Sequence, residues 1–314
     1  MLFWAGLLAL LLLAVFGLEL LLLARTASPP PYPWRRPPSE LGARFEEVTV
    51  PAADGAPLAA WYLPPQAART GPGATAVRGA ETPAARGAET TARGAPGVVV
   101  LHGLGAAKDD LSDLGALLAL RGFAVLLPDL RGHGSTPGRS TLGPREAEDA
   151  AACARWLAAR PEADPARLGA FGFSMGGAAA ILAAARHGAP FRAIVADSAY
   201  ASLEETMDLA VARIYRLPRV PFGRAARLGY RLLLGRSPGA GDVRAAVRDI
   251  PSVALLLIGG EQDLLDAAGN ARLLAGAHPG THEVWVIGGS RHGGTFAAPG
   301  YLERVAGFLR AHLA

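Results

Sequence analysis

Gly172-Phe173-Ser174-Met175-Gly176 follows the apolar run Leu168 to Phe171 and precedes Gly177-Ala178-Ala179-Ala180-Ile181-Leu182-Ala183-Ala184-Ala185. The first run reads as a buried strand and the second as a strong helix former. A serine between them sits on a sharp turn that brings strand and helix so close that the positions two before and two after must lack bulk. Glycine fills both. With 39 Gly and 11 Ser in 314 residues, the bare pattern arises by chance about 0.2 times per chain of this composition. The strand-before, helix-after context therefore carries the weight. A Gly-rich turn with an incidental serine is the competing reading.

A serine hydroxyl is a weak nucleophile at neutral pH, so a base must take its proton and a third group must orient the base. On a strand–turn–helix topology the acid and then the histidine follow in loops after later strands. The apolar run Val253 to Ile258 empties into Gly259-Gly260-Glu261-Gln262-Asp263, and Val284 to Ile287 empties into Gly288-Gly289-Ser290-Arg291-His292-Gly293-Gly294. Both loops fall at strand carboxyl ends, where ligands gather in open parallel sheets. Ser174, Asp263 and His292 are thus the candidate nucleophile, acid and base. Asp263 is alternatively the cap of a helix starting at Leu264. Glu261 is a neighbouring carboxylate, and Asp197, after the strand Ala193 to Ala196, is the rival acid. His187, His278, His282 and His312 fall on or near helices or strand starts and read as surface or core residues.

Backbone donors must meet the developing oxyanion. One is the amide of Met175, where a helix start leaves free N–H groups and a favourable dipole. The other lies in the loop His102-Gly103-Leu104-Gly105 after the strand Val98 to Leu101; the amide of Leu104 is the candidate. His102 itself reads as an anchor for that loop.

These segments, with Asp129-Leu130-Arg131-Gly132-His133-Gly134-Ser135, resemble the α/β-hydrolase superfamily, in particular ABHD-like serine hydrolases, over roughly residues 44–314. The resemblance implies a mostly parallel sheet covered by helices on both faces, with a helical cap at 198–249. It also implies an acyl-enzyme mechanism, and an architectural role for the Asp129 to Ser135 loop with Arg131 as a clamp. Alternation of strands and helices from Val98 onward independently reads as such a sheet.

Residues 2–24 form a nearly unbroken apolar run. As a helix it spans about 34 Å, enough for a hydrocarbon core of about 30 Å. Its twelve leucines contribute about −6 kcal/mol on the insertion scale against at most about +3 for Glu19. No Lys or Arg precedes the run, so a transmembrane anchor at 1–24 is expected rather than a cleaved signal peptide. Arg25, Arg35, Arg36 and Arg44 follow it, which places the catalytic domain on the cytoplasmic side by the positive-inside rule. Residues 25–43 read as a stiff Pro-rich spacer. Phe45 to Val50 and Leu58 to Leu63 read as antiparallel edge strands. Residues 64–96, with Arg78-Gly79-Ala80-Glu81-Thr82 repeated at Arg86 to Thr90, read as a low-complexity disordered loop.

The formal charge of +4 comes without a basic stripe of interleaved aromatics, which excludes nucleic acid as an expected partner. No metal motif and no phosphate loop is present; no metal and no cofactor is expected. The single Cys153 reads as an apolar filler. Within the cap, Leu203 to Leu234 carries Arg213, Arg216, Arg219, Arg224, Arg227 and Arg231 among apolar residues. This is either an ordinary solvated face or a basic amphipathic surface for anionic membrane. The expected function is a membrane-anchored serine hydrolase of carboxylic esters or thioesters with small-molecule or lipid-like acyl substrates. A peptidase or acyltransferase on the same triad, and a non-catalytic membrane scaffold, are the alternatives.

Overall fold

The computed structural model describes residues 17, 21, 24–28, 36–66 and 94–314. The expected membrane span therefore lies almost wholly outside the described residues, as does the repeat segment at 67–93. Among the described residues no helix is long and apolar enough to cross a membrane.

Eight strands form one sheet: β1 (Glu46–Pro51), β2 (Pro57–Leu63), β3 (Ala95–Leu101), β4 (Ala124–Pro128), β5 (Ala163–Phe173), β6 (Phe191–Asp197), β7 (Ala254–Gly260) and β8 (His282–Ile287). Their order is β1-β2-β4-β3-β5-β6-β7-β8. Only the two edge strands β1 and β2 run antiparallel; from β4 to β8 every pairing is parallel. The central strands β4 and β7 are buried along their whole length, as continuous apolar runs in a parallel sheet covered on both sides require.

The two faces are covered by different helices. Helices α1 (Ser112–Leu120) and α8 (Tyr301–Leu313) pack on one face. Helices α2 (Pro144–Ala158), α3 (Met175–His187) and α7 (Ala267–Ala277) pack on the other. The alanines of α2 and α3 let those helices approach the sheet and each other closely, and Cys153 is one of the small side chains filling that core. Between β6 and β7 the chain is helical, with α4 (Leu203–Leu209), α5 (Arg219–Leu234), α6 (Val243–Ala246) and shorter turns.

Three expectations need correction. The strand β3 begins at Ala95, not Val98. Its Gly97 lies where a Cβ would meet the Leu168 and Leu157 side chains at 2.5 and 3.1 Å, so the glycine marks close approach within a strand rather than a loop. Residues 29–35 of the expected spacer lie outside the described residues, and its described flanks are not extended throughout. Residues 24–27 are helical, Ala27 is buried with its carbonyl accepting from the Ser140 amide at 2.8 Å, and Pro38–Leu41 forms a 3-10 turn. Pro38 at the first position of that turn presets its φ. Finally, the helix after Asp263 starts at Ala267 rather than Leu264, after a left-handed Asp266.

Candidate active site

Strand β5 delivers Ser174 directly into α3. The serine has φ 52° and ψ −115°, a sparsely populated conformation for a non-glycine residue that persists only when its surroundings over-determine it. They do so here through backbone. A Cβ on Gly172 would stand 2.3 Å from the Gly176 carbonyl oxygen, and one on Gly176 would stand 2.3 Å from that of Leu101. The Ser174 amide donates to the Asp197 carbonyl at 2.7 Å, tying the turn to β6.

The three expected side chains meet. His292 Nε2 lies 3.1 Å from Ser174 Oγ, and His292 Nδ1 lies 2.6 Å from Asp263 Oδ2. The Asp263 carboxylate is wholly buried, whereas the imidazole keeps a third of its surface exposed. The other carboxylate oxygen, Oδ1, accepts from the Leu265 amide at 2.8 Å. Asp263 therefore organises its own turn and holds the imidazole at once, but it caps no helix, since α7 begins at Ala267 after Asp266. Glu261 instead accepts from the Gly289 amide in an exposed loop.

Asp197, the rival acid, has different partners. Its carboxylate accepts from Ser198 Oγ at 2.8 Å, Thr295 Oγ1 at 2.7 Å and Tyr301 OH at 2.5 Å. Burial pushes this carboxyl up from its ordinary value, and the three hydroxyls pull against the shift. Thr295 lies three residues after His292, so Asp197 acts as a tether of the histidine loop. Phe173 adds packing: its ring lies 5.2 Å from the His292 ring and 5.3 Å from Phe296. Sequence reasoning missed Phe173, Thr295, Phe296 and Tyr301 as supports. The aromatic residue beside the nucleophile was the one signal for them.

The loops after β3 and β4 lie on the other side of Ser174, where the sequence places the candidate oxyanion amides. A Cβ on Gly103 would stand 2.8 Å from the Phe173 ring and 3.4 Å from Ser174 Cβ, so the His102–Gly105 loop passes directly over the nucleophile. Among the described residues neither the Leu104 nor the Met175 amide has an intramolecular acceptor. The amide of Met175 also stands at the first turn of α3, where the helix dipole favours an anion. His102 is fully buried and bonded at both nitrogens: Nδ1–H donates to the Gly103 carbonyl at 2.8 Å, and Nε2 accepts from the Leu130 amide at 2.9 Å. Burial and the adjacent His133 depress its pKa, so it is a neutral strut joining the two loops.

The second loop is clamped in turn. Asp129 accepts from the Lys108 amide, from Lys108 Nζ at 2.5 Å and from the Ser135 amide; Lys108 is the sole lysine of the chain. Arg131 grips Asp149 of α2 through two nitrogens and Asp54 of the β1–β2 turn through a third. Such planar, forked pairing is what a guanidinium supplies and an ammonium does not. Among the described residues no group of three His, Cys, Asp or Glu side chains is placed to share a metal ion. Cys153 is buried, which raises its thiol pKa.

Comparison with known proteins agrees with this architecture. Residues 96–229 match the family model described as the alpha/beta hydrolase fold. Two uncharacterized proteins of Mycobacterium tuberculosis, from strains CDC 1551 / Oshkosh and H37Rv, are 31% identical over 234 residues, which is 74% of this chain and 66% of each of them. The chain thus spans slightly less than two thirds of those relatives. Among solved structures, the esterase Pf2001 of Pyrococcus furiosus superposes with a TM-score of 0.66 at 22% identity, covering 92% of this chain and 99% of the esterase. The dienelactone hydrolase of Anabaena variabilis superposes with a TM-score of 0.55 at 18% identity, covering 87% and 99%. From the sheet order, the turn at Ser174 and these matches, the chain is an α/β-hydrolase-fold protein.

Proposed function

We propose that the chain is a serine hydrolase that cleaves carboxylic esters or thioesters of moderately apolar acyl groups. In this proposal residues 1–24 anchor it to a membrane and the catalytic domain lies on the cytoplasmic side. The observation that carries the chemistry is the continuous line from Ser174 Oγ through His292 to Asp263, at 3.1 and 2.6 Å. Ser174 Oγ attacks the acyl carbonyl as His292 Nε2 takes its proton. Asp263 holds Nδ1–H and so fixes the tautomer that leaves Nε2 free to accept. The carbonyl oxygen, now anionic, meets the amides of Leu104 and Met175. His292 returns the proton to the departing alcohol or thiol, leaving an acyl-serine. Water, deprotonated by the same imidazole, then attacks the acyl-serine and releases the acid.

Apolar exposure at the mouth supports the substrate class. Leu104 and Leu264, next to the oxyanion amide and the acid, are 36% and 57% exposed. That the similar Pyrococcus structure is an esterase and the Anabaena one a dienelactone hydrolase agrees with ester chemistry. A peptidase or acyltransferase would use the same triad. A scaffold without catalysis would have no need of a strained serine facing a tethered histidine.

A fluorophosphonate probe tests the nucleophile. Wild-type protein is expected to carry one adduct, mapped to Ser174, and Ser174→Ala none. Folded wild-type protein that takes up no probe at Ser174 would reject the assignment. A series of p-nitrophenyl esters of rising chain length then reads the acyl preference.

A further inference from the structure

Between Leu209 and Gly241 the sequence carries seven arginines and no acidic residue, in a chain whose net charge is only +4. The rest of the chain is therefore net −3. Arg227 pairs with Asp208 and Arg236 with Glu148. Among the described residues Arg213, Arg216, Arg219, Arg224 and Arg231 enter no ion pair, and all five are exposed. Apolar side chains are exposed between them. Ile214, Tyr215, Leu217, Val220, Leu228 and Leu232 make up six of the eleven exposed large hydrophobics among the described residues, so more than half of them fall in this one stretch. On α5, Pro221, Arg224, Leu228, Arg231 and Leu232 are exposed at three- and four-residue spacings. That spacing places them along one face of the helix. The opposite face is buried through Gly223, Gly229 and Tyr230.

Both ends of the strip are located. At one end Arg213 donates to the Leu264 carbonyl at 3.2 Å, beside Asp263 and the mouth of the site. At the other, Tyr230 OH donates to the Thr141 carbonyl at 2.7 Å. The preceding residue, Ser140, donates its amide to the carbonyl of Ala27. Ala27, three residues after the apolar run in sequence, therefore sits on the very turn that seats α5.

We propose that this strip docks on an anionic phospholipid surface, so that the mouth beside Leu264 opens toward the bilayer. That the mouth serves acyl hydrolysis rests on the function proposed above; the docking does not. The chemistry selects lipid. Unpaired guanidinium groups complement anionic headgroups, and the interleaved apolar side chains enter the boundary between headgroup and acyl chain. A second copy of the same strip would set like charges opposite one another, which is costly. A single-stranded nucleic acid would call for stacking platforms, and Tyr215 is the one aromatic of the strip exposed among the described residues.

The test uses the full chain bearing Leu228→Cys, labelled with an environment-sensitive fluorophore. Cys153 is fully buried and stays unlabelled. The protein is reconstituted into vesicles of phosphatidylcholine alone or of phosphatidylcholine with phosphatidylglycerol. A blue shift confined to the anionic vesicles and reversed by high salt is expected. Adding Arg224→Gln and Arg231→Gln should lower the docked-to-undocked ratio about 25-fold, at about fivefold per arginine. An unshifted emission in anionic vesicles would overturn the proposal, as would an equal shift in phosphatidylcholine alone. So would a shift in detergent that grows with protein concentration, or one produced by duplex DNA. Fluorophosphonate labelling of the same sample at Ser174 shows that the site is intact. A lost label with the lipid-dependent shift retained would count against the catalytic assignment and leave the docking standing.

Discussion

The ground beneath Ser174 and the strip from Leu209 to Gly241 are built on opposite terms. Under the serine, glycines are required because backbone lies 2.3 Å from where a Cβ would be. Buried polar groups there are tied to named partners: His102 by two backbone groups, Asp129 by Lys108, Arg131 by Asp149, Asp197 by three hydroxyls. In the strip, five of the seven arginines enter no ion pair among the described residues, and Leu217, Leu228 and Leu232 face outward. The first region holds a strained serine in place and tolerates almost no change. The outward side chains of the second bury little surface, unlike Tyr230 on its inner face, which leaves them free to be shaped by what they touch. On the proposals made above, the reaction and the choice of where it happens would be assigned to separate regions of the molecule.

The largest effect is expected where the two acids are set against each other. Asp263→Asn keeps the side chain's shape but favours the wrong imidazole tautomer, and should lower kcat by about 10⁴-fold. In Asp197→Asn the amide oxygen still accepts from Thr295 and Tyr301, and the new NH₂ finds the Ser198 hydroxyl. A fall of no more than about tenfold is expected, through a looser histidine loop. Ester hydrolysis measured on both variants decides. The reverse ranking would move the acid to the end of β6 and break the division between tether and acid drawn here.

What was legible in the sequence follows the same division. Gly172, Ser174 and Gly176 could be read because steric exclusion between a strand and the next helix leaves few residue types. The Asp263 and His292 loops could be read because each follows an apolar strand. Asp197 against Asp263 was not decided by pattern, since both end strands of the same sheet. The decision lies in Thr295 and Tyr301, about a hundred residues later, reaching back to occupy Asp197. The start of β3 at Ala95-Pro96-Gly97 was obscured by residues that ordinarily break strands. The docking of Ala27 on Ser140 left no local trace, being one backbone hydrogen bond between segments far apart in the chain.

A second comparison uses two glycines. In Gly172→Ala the new methyl meets Gly176 O, Gly176 C and Gly177 N at 2.3 to 2.4 Å, all backbone, so nothing can step aside cheaply. A loss of about 4 kcal/mol, or failure to fold, is expected. Gly276 lies inside α7 with open space around it, and Gly276→Ala should stabilise by up to about 1 kcal/mol. Denaturant unfolding reads both. A Gly172→Ala variant as stable as wild type would mean that the strand and helix at the nucleophile are not as tightly apposed as the glycine contacts require.

The smallest effect is expected within α5, where buried and outward positions alternate over three residues. Tyr230 is fully buried and its hydroxyl donates to the Thr141 carbonyl. Tyr230→Phe leaves that carbonyl without its donor in a dry environment and should cost about 1–2 kcal/mol. Leu232, two residues on, is 66% exposed; Leu232→Ser removes little buried surface and should change stability by less than about 0.5 kcal/mol. In a domain of this size those values correspond to a fall in Tm of a few degrees for the first and about one degree for the second. If Leu232→Ser proved the more damaging in lipid-free protein, its side chain would have to be covered in solution by something other than a bilayer. The outward face of α5 would then belong with the region under Ser174, as part of what holds the fold together.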